Sequence, residues 1–533
     1  MPVFVPQFES MWFTFVLLQL LPQLTLSAHC PSGCVCDIRG SAKCIRDITD
    51  IPPFNPTTTF LLQLNDTNIK VLKDRSFQPL SLLIRLMITH STLDTIQPEV
   101  FNELRNLEEL QLDGNQIASI SSKLFEAMLD ADVFQSLSKL NYLNLADNQL
   151  RNLLKTLFHN LRQLKSLVLS SNQLETLESG SFDHLSNLLV LMLQKNQIRE
   201  IPPRLFWHLP SLLTLSMSGN QLRYIPAESF YYLPNLTKLT FYKNPLISLP
   251  SQLMGHMPRL QELYLYETNL STVLWNLFAN MTNLRALNLH FNNKLTSLPK
   301  SLFCCLPKLK KLSLKNNNLR ELDPELFSNL ISLQILMLNE NKLESLPSAI
   351  FRNTSRLEIL DLNHNHLRHL LGDVFVRARV LKDLSLSGNK WNCDCSIMGI
   401  AEWIHENPKL ISDLDKGGTC YEPYHLENHS LQTLTYEELH CGVFQTMFIG
   451  SNTITSGAPV APTPQSSTAT STTARNTATA TNGFMMALYM VLLVTGVVLI
   501  VASLYALYQL HKMMWVLGKI TMGDNQRLMT RRV

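Results

Sequence analysis

The chain has 533 residues, which is too long for one ordinary hydrophobic core, so several domains or an array of repeats are expected. Its 45 Lys and Arg residues against 42 Asp and Glu residues give a net charge of +3, spread along the chain without a basic block. This distribution argues against nucleic acid as a partner.

Residues 1–28 are predicted to be a signal peptide, because an apolar run occupies residues 11–28. The run is short, contains Pro22 and ends at Ala28 with the small-residue sequence LSA, which suits signal peptidase. A buried strand or a membrane anchor is the alternative. The length of the run and the sequence after it favour export.

Residues 29–56 are predicted to form a cysteine-rich N-terminal cap. Its four cysteines are Cys30, Cys34, Cys36 and Cys44. Cysteines of an exported chain form disulfides by default, because that compartment is oxidising. Four cysteines allow three pairings, and a zinc site is the alternative, although Cys-x-Cys is not the usual zinc spacing.

Residues 57–388 repeat the phrase L-x-x-L-x-L-x-x-N-x-L about 13–14 times, mostly in steps of 24 residues, as in LEELQLDGNQI. This is the phrase of the leucine-rich repeat, so the chain resembles that family. In L-x-L the leucines point inward and the intervening residues outward, because side chains alternate along a strand. One repeat cannot bury its own leucines, whereas a stack can. We therefore predict an α/β leucine-rich repeat solenoid with a curved parallel sheet on its concave face and a cap at each end.

Two columns of residues recur through the repeats. An Asn column follows the strands, where the amide can pair with backbone groups that a tight bend would leave unpaired. It comprises Asn115, Asn148, Asn172, Asn196, Asn220, Asn244, Asn292, Asn317, Asn341, Asn365 and Asn389, with Thr67, Ser91 and Thr268 at the same position. A Phe column is expected to pack the convex side. It comprises Phe77, Phe101, Phe125, Phe134, Phe158, Phe182, Phe206, Phe230, Met254, Phe278, Phe303, Phe327, Phe351 and Phe375.

The 24-residue step is broken twice. Between Asn292 and Asn317 it is 25 residues, and between Asn115 and Asn148 it is 33. The longer segment carries two Phe-column residues, and we favour the interpretation that it fuses the second halves of two repeats. A nine-residue bulge on the convex face is the alternative.

Outward strand positions near the middle of the array form the candidate binding surface. They carry Tyr242, Tyr264, Tyr266 and His290, and exposed aromatic residues clustered on one face are typical binding anchors. The alternative is that these are ordinary tyrosines of a strand surface. A glycan on Asn65, which is also an outward position, would cover the N-terminal end of the face and direct binding toward the middle or C-terminal repeats.

A cysteine pair and a group of histidines also carry side chains that could do chemistry. Cys304 and Cys305 are expected to be thiols packed against the solenoid, a vicinal pair or a covalent link to a partner. His364, His366 and His369 lie in a loop where polar residues normally face water, and a metal site there is disfavoured. No Gly-rich phosphate loop, nucleophile elbow or HExxH motif occurs, so we predict no enzyme activity, no cofactor and no metal.

Residues 389–442 are predicted to form the C-terminal cap, with Trp391 and Trp403 as apolar filling. Its cysteines are Cys393, Cys395, Cys420 and Cys441. Residues 443–482 are rich in Ser, Thr and Pro and predict a disordered, O-glycosylated stalk.

A transmembrane helix is predicted at residues 483–509, because the uncharged run 484–508 is long enough to cross a bilayer. The tail at 510–533 is basic, so the positive-inside rule places it in the cytoplasm. This predicts a single-pass type I protein of the plasma membrane with an extracellular ectodomain. N-glycosylation is expected at Asn65, Asn235, Asn269, Asn280, Asn353 and Asn428.

Three longer stretches resemble one branch of the family, the single-pass leucine-rich repeat receptors of the glycoprotein V type. They are LLIRLMITHSTLDTIQPEVF, LTFYKNPLISLP with LQELYLYETNL, and GNKWNCDCSIMGIAEWI. The resemblance covers nearly the whole ectodomain, and the single span and the short basic tail agree with it.

The resemblance implies cap disulfides and partners. The implied disulfides are Cys30 with Cys36, Cys34 with Cys44, Cys393 with Cys420, and Cys395 with Cys441. The implied function is platelet or thrombocyte adhesion in haemostasis, within the von Willebrand factor receptor and beside glycoprotein Ib and IX type chains. Contact with collagen or another matrix protein, thrombin cleavage at a stalk arginine (here Arg475) and calmodulin binding around residues 512–519 are also implied.

Two other functions are consistent with the repeat. One is a stand-alone cell–matrix adhesion receptor of another leucine-rich repeat subfamily. The other is a carrier subunit for a secreted enzyme, as in the large subunit of carboxypeptidase N, which the predicted span at residues 484–508 disfavours.

Overall fold

The computed structural model describes residues 30–120, 133–251, 253–413 and 418–441. Contacts divide the chain into two units, Met1–Thr446 and Met447–Val533, and all described residues belong to the first. Within the described ranges, no helix has both the length and the apolar character that a membrane span needs. The predicted signal peptide, stalk, membrane span and tail lie outside those ranges.

The strands of the described residues are short, and most are pieces of the repeat phrase. They are β1 (Cys34–Cys36), β2 (Ser41–Ile45), β3 (Leu61–Asn65), β4 (Val71–Leu72), β5 (Arg85–Thr89), β6 (Thr95–Ile96), β7 (Glu109–Gln111), β8 (Tyr142–Asn144), β9 (Ser166–Val168), β10 (Val190–Met192), β11 (Thr214–Ser216), β12 (Lys238–Thr240), β13 (Glu262–Tyr264), β14 (Ala286–Asn288), β15 (Lys311–Ser313), β16 (Ile335–Met337), β17 (Ile359–Asp361) and β18 (Asp383–Ser385). One α-helix, α1, spans Met398–Glu406, and short 3₁₀ helices span Gly372–Phe375, Cys395–Ile397, Pro408–Leu410 and Tyr424–Leu426.

Sixteen of these strands form one sheet, in the order β1-β2-β3-β5-β7 and then consecutively to β18. β1 and β2 are antiparallel, and the other neighbours are parallel. β4 and β6 pair separately. From β3 onward each repeat gives one strand to the large sheet, which confirms the predicted parallel solenoid with about fourteen turns.

The core is built from the inward leucines and the Phe column. Leu191 and Leu193, on either side of the outward Met192, are fully buried. On the convex side, neighbouring Phe rings stack with centroids 5.8 Å apart at the closest pair and 6.4 Å at the widest, as in Phe327 over Phe351. The column therefore packs the convex side as predicted, and it continues from turn to turn because the 24-residue step places each ring over the last.

The 33-residue step advances the large sheet by one strand. β7 pairs directly with β8, and Phe134 stacks on Phe101 with ring centroids 6.1 Å apart. Phe125 lies outside the described residues. The sheet and the Phe column each advance by one position here, while residues 121–132, which would form the bulge or part of the fused half-repeats, lie outside the described residues. The fused half-repeats and the nine-residue bulge therefore both stay predictions.

The Asn column forms a ladder that joins consecutive turns. The Nδ2 of Asn196 donates to the carbonyl of Leu193 in its own turn at 3.1 Å and to that of Leu169 in the preceding turn at 2.9 Å. Its Oδ1 accepts from the N–H of Leu174 at 3.1 Å. One side chain thus satisfies three buried backbone groups, which explains why the position is so regular.

Each residue just before the Asn column has a left-handed backbone. These residues, with φ between 51° and 69°, are Asp66, His90, Gly114, Asp147, Ser171, Lys195, Gly219, Lys243, Glu267, Phe291, Asn316, Glu340, His364 and Gly388. The bend turns the chain out of the strand. Only three of the fourteen are glycine, so the neighbouring ladder offsets the cost of this conformation in the other turns.

Disulfides close both caps. Cys30 bonds Cys36 and Cys34 bonds Cys44, while Cys393 bonds Cys420 and Cys395 bonds Cys441. These are the pairs that the resemblance implies, and they leave no thiolate for the zinc alternative. Cys304 and Cys305 bond each other. This is the vicinal pair, and neither the packed thiols nor the covalent link to a partner. All ten cysteines of the chain lie in the described ranges, and none is free.

The C-terminal cap covers the last turn with apolar and backbone contacts. Trp391 is fully buried, as expected of a filling residue. Trp403 of α1 packs on Phe375, the last ring of the Phe column, with ring centroids 4.8 Å apart. Asp413 accepts hydrogen bonds from the N–H groups of Leu386 and Ser387, which would otherwise be unpaired at the edge of the sheet.

Candidate binding surface on the concave face

Three neighbouring strands position the predicted binding residues. β12, β13 and β14 pair in register, so that Thr240, Tyr264 and Asn288 lie side by side across the sheet. Two residues further on, the next outward positions carry Tyr242, Tyr266 and His290. The parallel register thus gathers side chains that are 24 residues apart in sequence into rows.

The second row is a continuous stack of rings. Tyr242 and Tyr266 lie parallel, with centroids 4.4 Å apart and an interplanar angle of 2°. His290 packs on Tyr266 at 4.2 Å, and Phe291 meets His290 edge to face at 5.1 Å. We call these four residues the aromatic ridge. Phe291 has a left-handed backbone and is 37% exposed, so the fold holds a large apolar ring at the surface.

Two rings of the ridge, those of Tyr266 and His290, are uncharged at neutral pH. The pKa of Tyr266 is raised to about 12, first by burial and then by the neighbouring Tyr242 and Glu267. The pKa of His290 is lowered to about 4, first by burial and then by the nearby cation of Lys315. A neutral imidazole packs on a neutral phenol without the desolvation cost that an imidazolium would carry.

Beside the ridge lies a polar group centred on Glu262. Lys238 forms an ion pair with it at 3.0 Å, and the hydroxyl of Tyr264 donates to it at 3.2 Å. The hydrogen bond to Glu262 raises the pKa of Lys238, while burial raises the pKa of Tyr264, with Glu262 as the second cause. Tyr264 is therefore held in place by its hydroxyl and does not join the ring stack.

An open depression of about 580 Å³ adjoins the ridge and runs across β10 to β14. Its lining residues are Met192, Gln194, Thr214, Ser216, Lys238, Thr240, Tyr242, Tyr264, Tyr266 and Asn288. The Oε1 of Gln194 is buried and accepts no hydrogen bond within the described residues. The depression can therefore receive an apolar side chain against the rings and offer a polar one an acceptor at Gln194.

The predicted residues fall in two places. Tyr242, Tyr266 and His290 form one stack, whereas Tyr264 turns toward Glu262 in the next row. Their role as contact residues stays a prediction. Sequence reasoning missed Phe291 and Gln194. The motif HFNNKL, where the step lengthens to 25 residues, contained the signal for Phe291, since it places a ring where the chain must bend.

The other candidate positions lie apart from this surface. His369 pairs with Asp394 at 3.1 Å, and His364 contacts Asn363 at 3.0 Å. Across the described residues, no three His, Cys, Asp or Glu side chains are arranged to hold a metal ion. Asn65 lies at the end of β3 and accepts from the hydroxyl of Thr89 at 3.0 Å, far along the sheet from the ridge. Glycosylation of the six sequons stays a prediction.

The profile of the family described as "Leucine rich repeat" matches the chain at residues 61–117, 127–174, 162–222, 234–293, 282–336 and 331–390. These segments cover more than half of the chain. Leucine-rich repeat-containing protein 3B of Danio rerio is 34% identical over 122 residues, which is 21% of this chain and 47% of that protein. The chain thus spans about half the length of this relative.

Solved structures share the solenoid. A leucine-rich repeat protein of Leptospira interrogans is 27% identical with a TM-score of 0.56, over 67% of this chain and 84% of that one. The LRIM1/APL1C complex gives a TM-score of 0.57 at 22% identity, over 70% of this chain and 65% of that one.

The fold is typical of binding and receptor proteins without enzyme activity, and the disulfide-bonded caps indicate an extracellular or cell-surface protein. The chain belongs to the leucine-rich repeat family.

Proposed function

We propose that the chain is a cell-surface receptor subunit that binds a protein partner through the aromatic ridge and the depression beside it. In this proposal the chain is a type I protein of the plasma membrane. It is of the glycoprotein V type, acts in platelet or thrombocyte adhesion, and assembles with glycoprotein Ib and IX type chains in the von Willebrand factor receptor.

The stack of Tyr242, Tyr266 and His290 is the observation that carries the proposal. Tyrosine is enriched among the residues that dominate binding energy, because its ring buries a large area and loses little conformational freedom. These rings are half-buried and already fixed by their neighbours, so little further ordering is required when a partner binds.

The shape of the surface favours a protein over a small molecule. The depression is open and lies on a sheet that continues over many turns, so a partner can extend from it along the concave face. The LRIM1/APL1C chains, which have the same fold, form a complex. This supports assembly between solenoids as one use of such a surface.

The binding surface is tested with Tyr266→Ala in the full-length chain on cells that also express glycoprotein Ib and IX type chains. Loss of the central ring should reduce partner binding about 30-fold, because it breaks both stacking contacts of the ridge. Tyr142→Ala is the matched control, since Tyr142 is an outward tyrosine of β8 on the same face. Equal effects of the two substitutions would contradict the assignment of the ridge.

The identity of the complex is tested separately by co-precipitation from thrombocytes. Recovery of glycoprotein Ib and IX type chains with this chain is expected. If none is recovered and the chain still binds collagen-coated surfaces through the ridge, the stand-alone adhesion receptor replaces the complex.

A further inference from the structure

A cluster of cations lies at the edge of the concave sheet, on the side away from the aromatic ridge. It comprises Arg259, Arg285, Lys308, Lys310 and Lys311, which we call the basic edge, and all five side chains are exposed. They come from three consecutive turns, those of β13, β14 and β15.

The register of the turns brings these residues together. The N–H groups of Lys310 and Lys311 both donate to the carbonyl of Arg285, at 2.9 and 3.0 Å. Lys308 donates to Asn283 at 2.5 Å, and Asn283 donates to the carbonyl of Pro258, beside Arg259. Neighbouring strands lie about 4.8 Å apart, so the five cations occupy an edge of roughly 10 Å along the solenoid.

No carboxylate neutralises the basic edge. Among the described residues, none of the five cations forms an ion pair with Asp or Glu. Two carboxylates at strand starts are already paired, Glu262 of β13 with Lys238 and Glu358, just before β17, with Lys382. The field of the five cations is therefore uncompensated and attracts anions.

The rest of the edge indicates which anion fits. Gln261, Asn283 and Gln334 supply amides, and Ala286 supplies a small side chain beside Lys311. The edge lacks the exposed aromatic anchors on which a peptide partner would depend. A linear polyanion that carries charges at regular intervals along the solenoid axis matches the repeat better than a folded acidic surface does.

We propose that the basic edge binds a sulfated polysaccharide. Its occupant would be a linear glycan of the extracellular matrix or cell surface, laid across the three turns with its sulfates on the Lys and Arg side chains. This site is distinct from the aromatic ridge, which lies at the opposite ends of the strands, and none of its five cations lines the depression beside the ridge.

The test measures heparin binding by the purified full-length chain in detergent. The variant carries Lys308→Gln with Lys310→Gln. The control carries Lys139→Gln with Lys165→Gln, which occupy the same two repeat positions in the turns of β8 and β9, where Lys139 likewise donates to an asparagine, Asn106. Both are made on an Asn280→Gln background, because a glycan three residues before Asn283 would reach the same edge.

The wild-type edge should bind heparin with an affinity that falls steeply between about 0.15 and about 0.5 M salt, as expected when a polyanion displaces counterions. The basic-edge variant should lose about tenfold in affinity and the control less than about twofold. The proposal is overturned if wild-type protein does not bind heparin or if the two variants bind alike. It is equally overturned if desulfated heparin or poly-L-glutamate binds as well as heparin.

Discussion

A Cβ placed on Gly372 would lie 2.1 Å from the carbonyl oxygen of Gly399, so the last repeat and helix α1 of the cap meet backbone to backbone. This contact allows α1 to lie flat on the end of the solenoid, with Trp403 over Phe375. A side chain at Gly372 would separate the two elements and expose the end of the core.

Gly372→Ala is therefore expected to destabilise the cap by about 2 kcal/mol, the usual cost of forcing atoms into a packed contact. Gly399→Ala is the matched control, since its Cβ would lie 3.1 Å from the nitrogen of Gly372 and needs a smaller shift. Hydrogen exchange of α1 amides in the two variants measures the difference. Equal protection of the α1 amides in the two variants would contradict the prediction that the close contact of Gly372 with Gly399 leaves no room for a side chain at Gly372.

The Asn ladder gives a second prediction. Asn196→Ala should cost about 3 kcal/mol, because it leaves the buried N–H of Leu174 without a partner. It also removes one of the two side-chain hydrogen bonds that each of the carbonyls of Leu169 and Leu193 accepts. Asn196→Thr should cost less, since Thr268 holds the same column and its N–H and hydroxyl both reach Asn292. Urea unfolding measures both.

Asn187→Ala is the control for the ladder. Asn187 makes one exposed hydrogen bond, to the carbonyl of Arg162 at 2.9 Å, so its loss should change stability by less than about 0.5 kcal/mol. A similar loss at both positions would mean that the buried ladder adds nothing beyond an ordinary surface amide.

The repeat architecture was predictable from the sequence because one period fixes both the strand and the face. The Asn and Phe columns, the inward leucines and the outward tyrosines all follow from a 24-residue step and alternation along a strand. The period does not fix rotamers, so it could not tell that Tyr264 bonds Glu262 while Tyr266 stacks on Tyr242. It also could not reveal the approach of Gly372 to Gly399, which depends on how the cap docks.

The aromatic ridge predicts a pH dependence of stability. The pKa of His290 is about 4 in the folded chain and about 6.5 when unfolded, so between these values the unfolded state binds more protons. Stability should therefore fall as pH drops from about 6.5 toward 4, and the dependence should be weaker in His290→Phe. Thermal unfolding across this range measures it, with His425→Phe in the cap as control. An unchanged dependence in His290→Phe would contradict the assigned pKa.

The 33-residue step between Asn115 and Asn148 gives the last prediction. Deleting residues 122–130 restores the 24-residue step and keeps Val133 and Phe134, which are buried in the core. Since Phe134 already follows Phe101 in the Phe column, the shortened chain should fold with a change in stability below about 1 kcal/mol. Phe134→Ala, in contrast, should cost about 3–5 kcal/mol, because it opens a cavity in the stack. Urea unfolding of the two variants decides the matter. A deletion as damaging as Phe134→Ala would mean that the extra nine residues belong to the packed core, as the fused half-repeats would require.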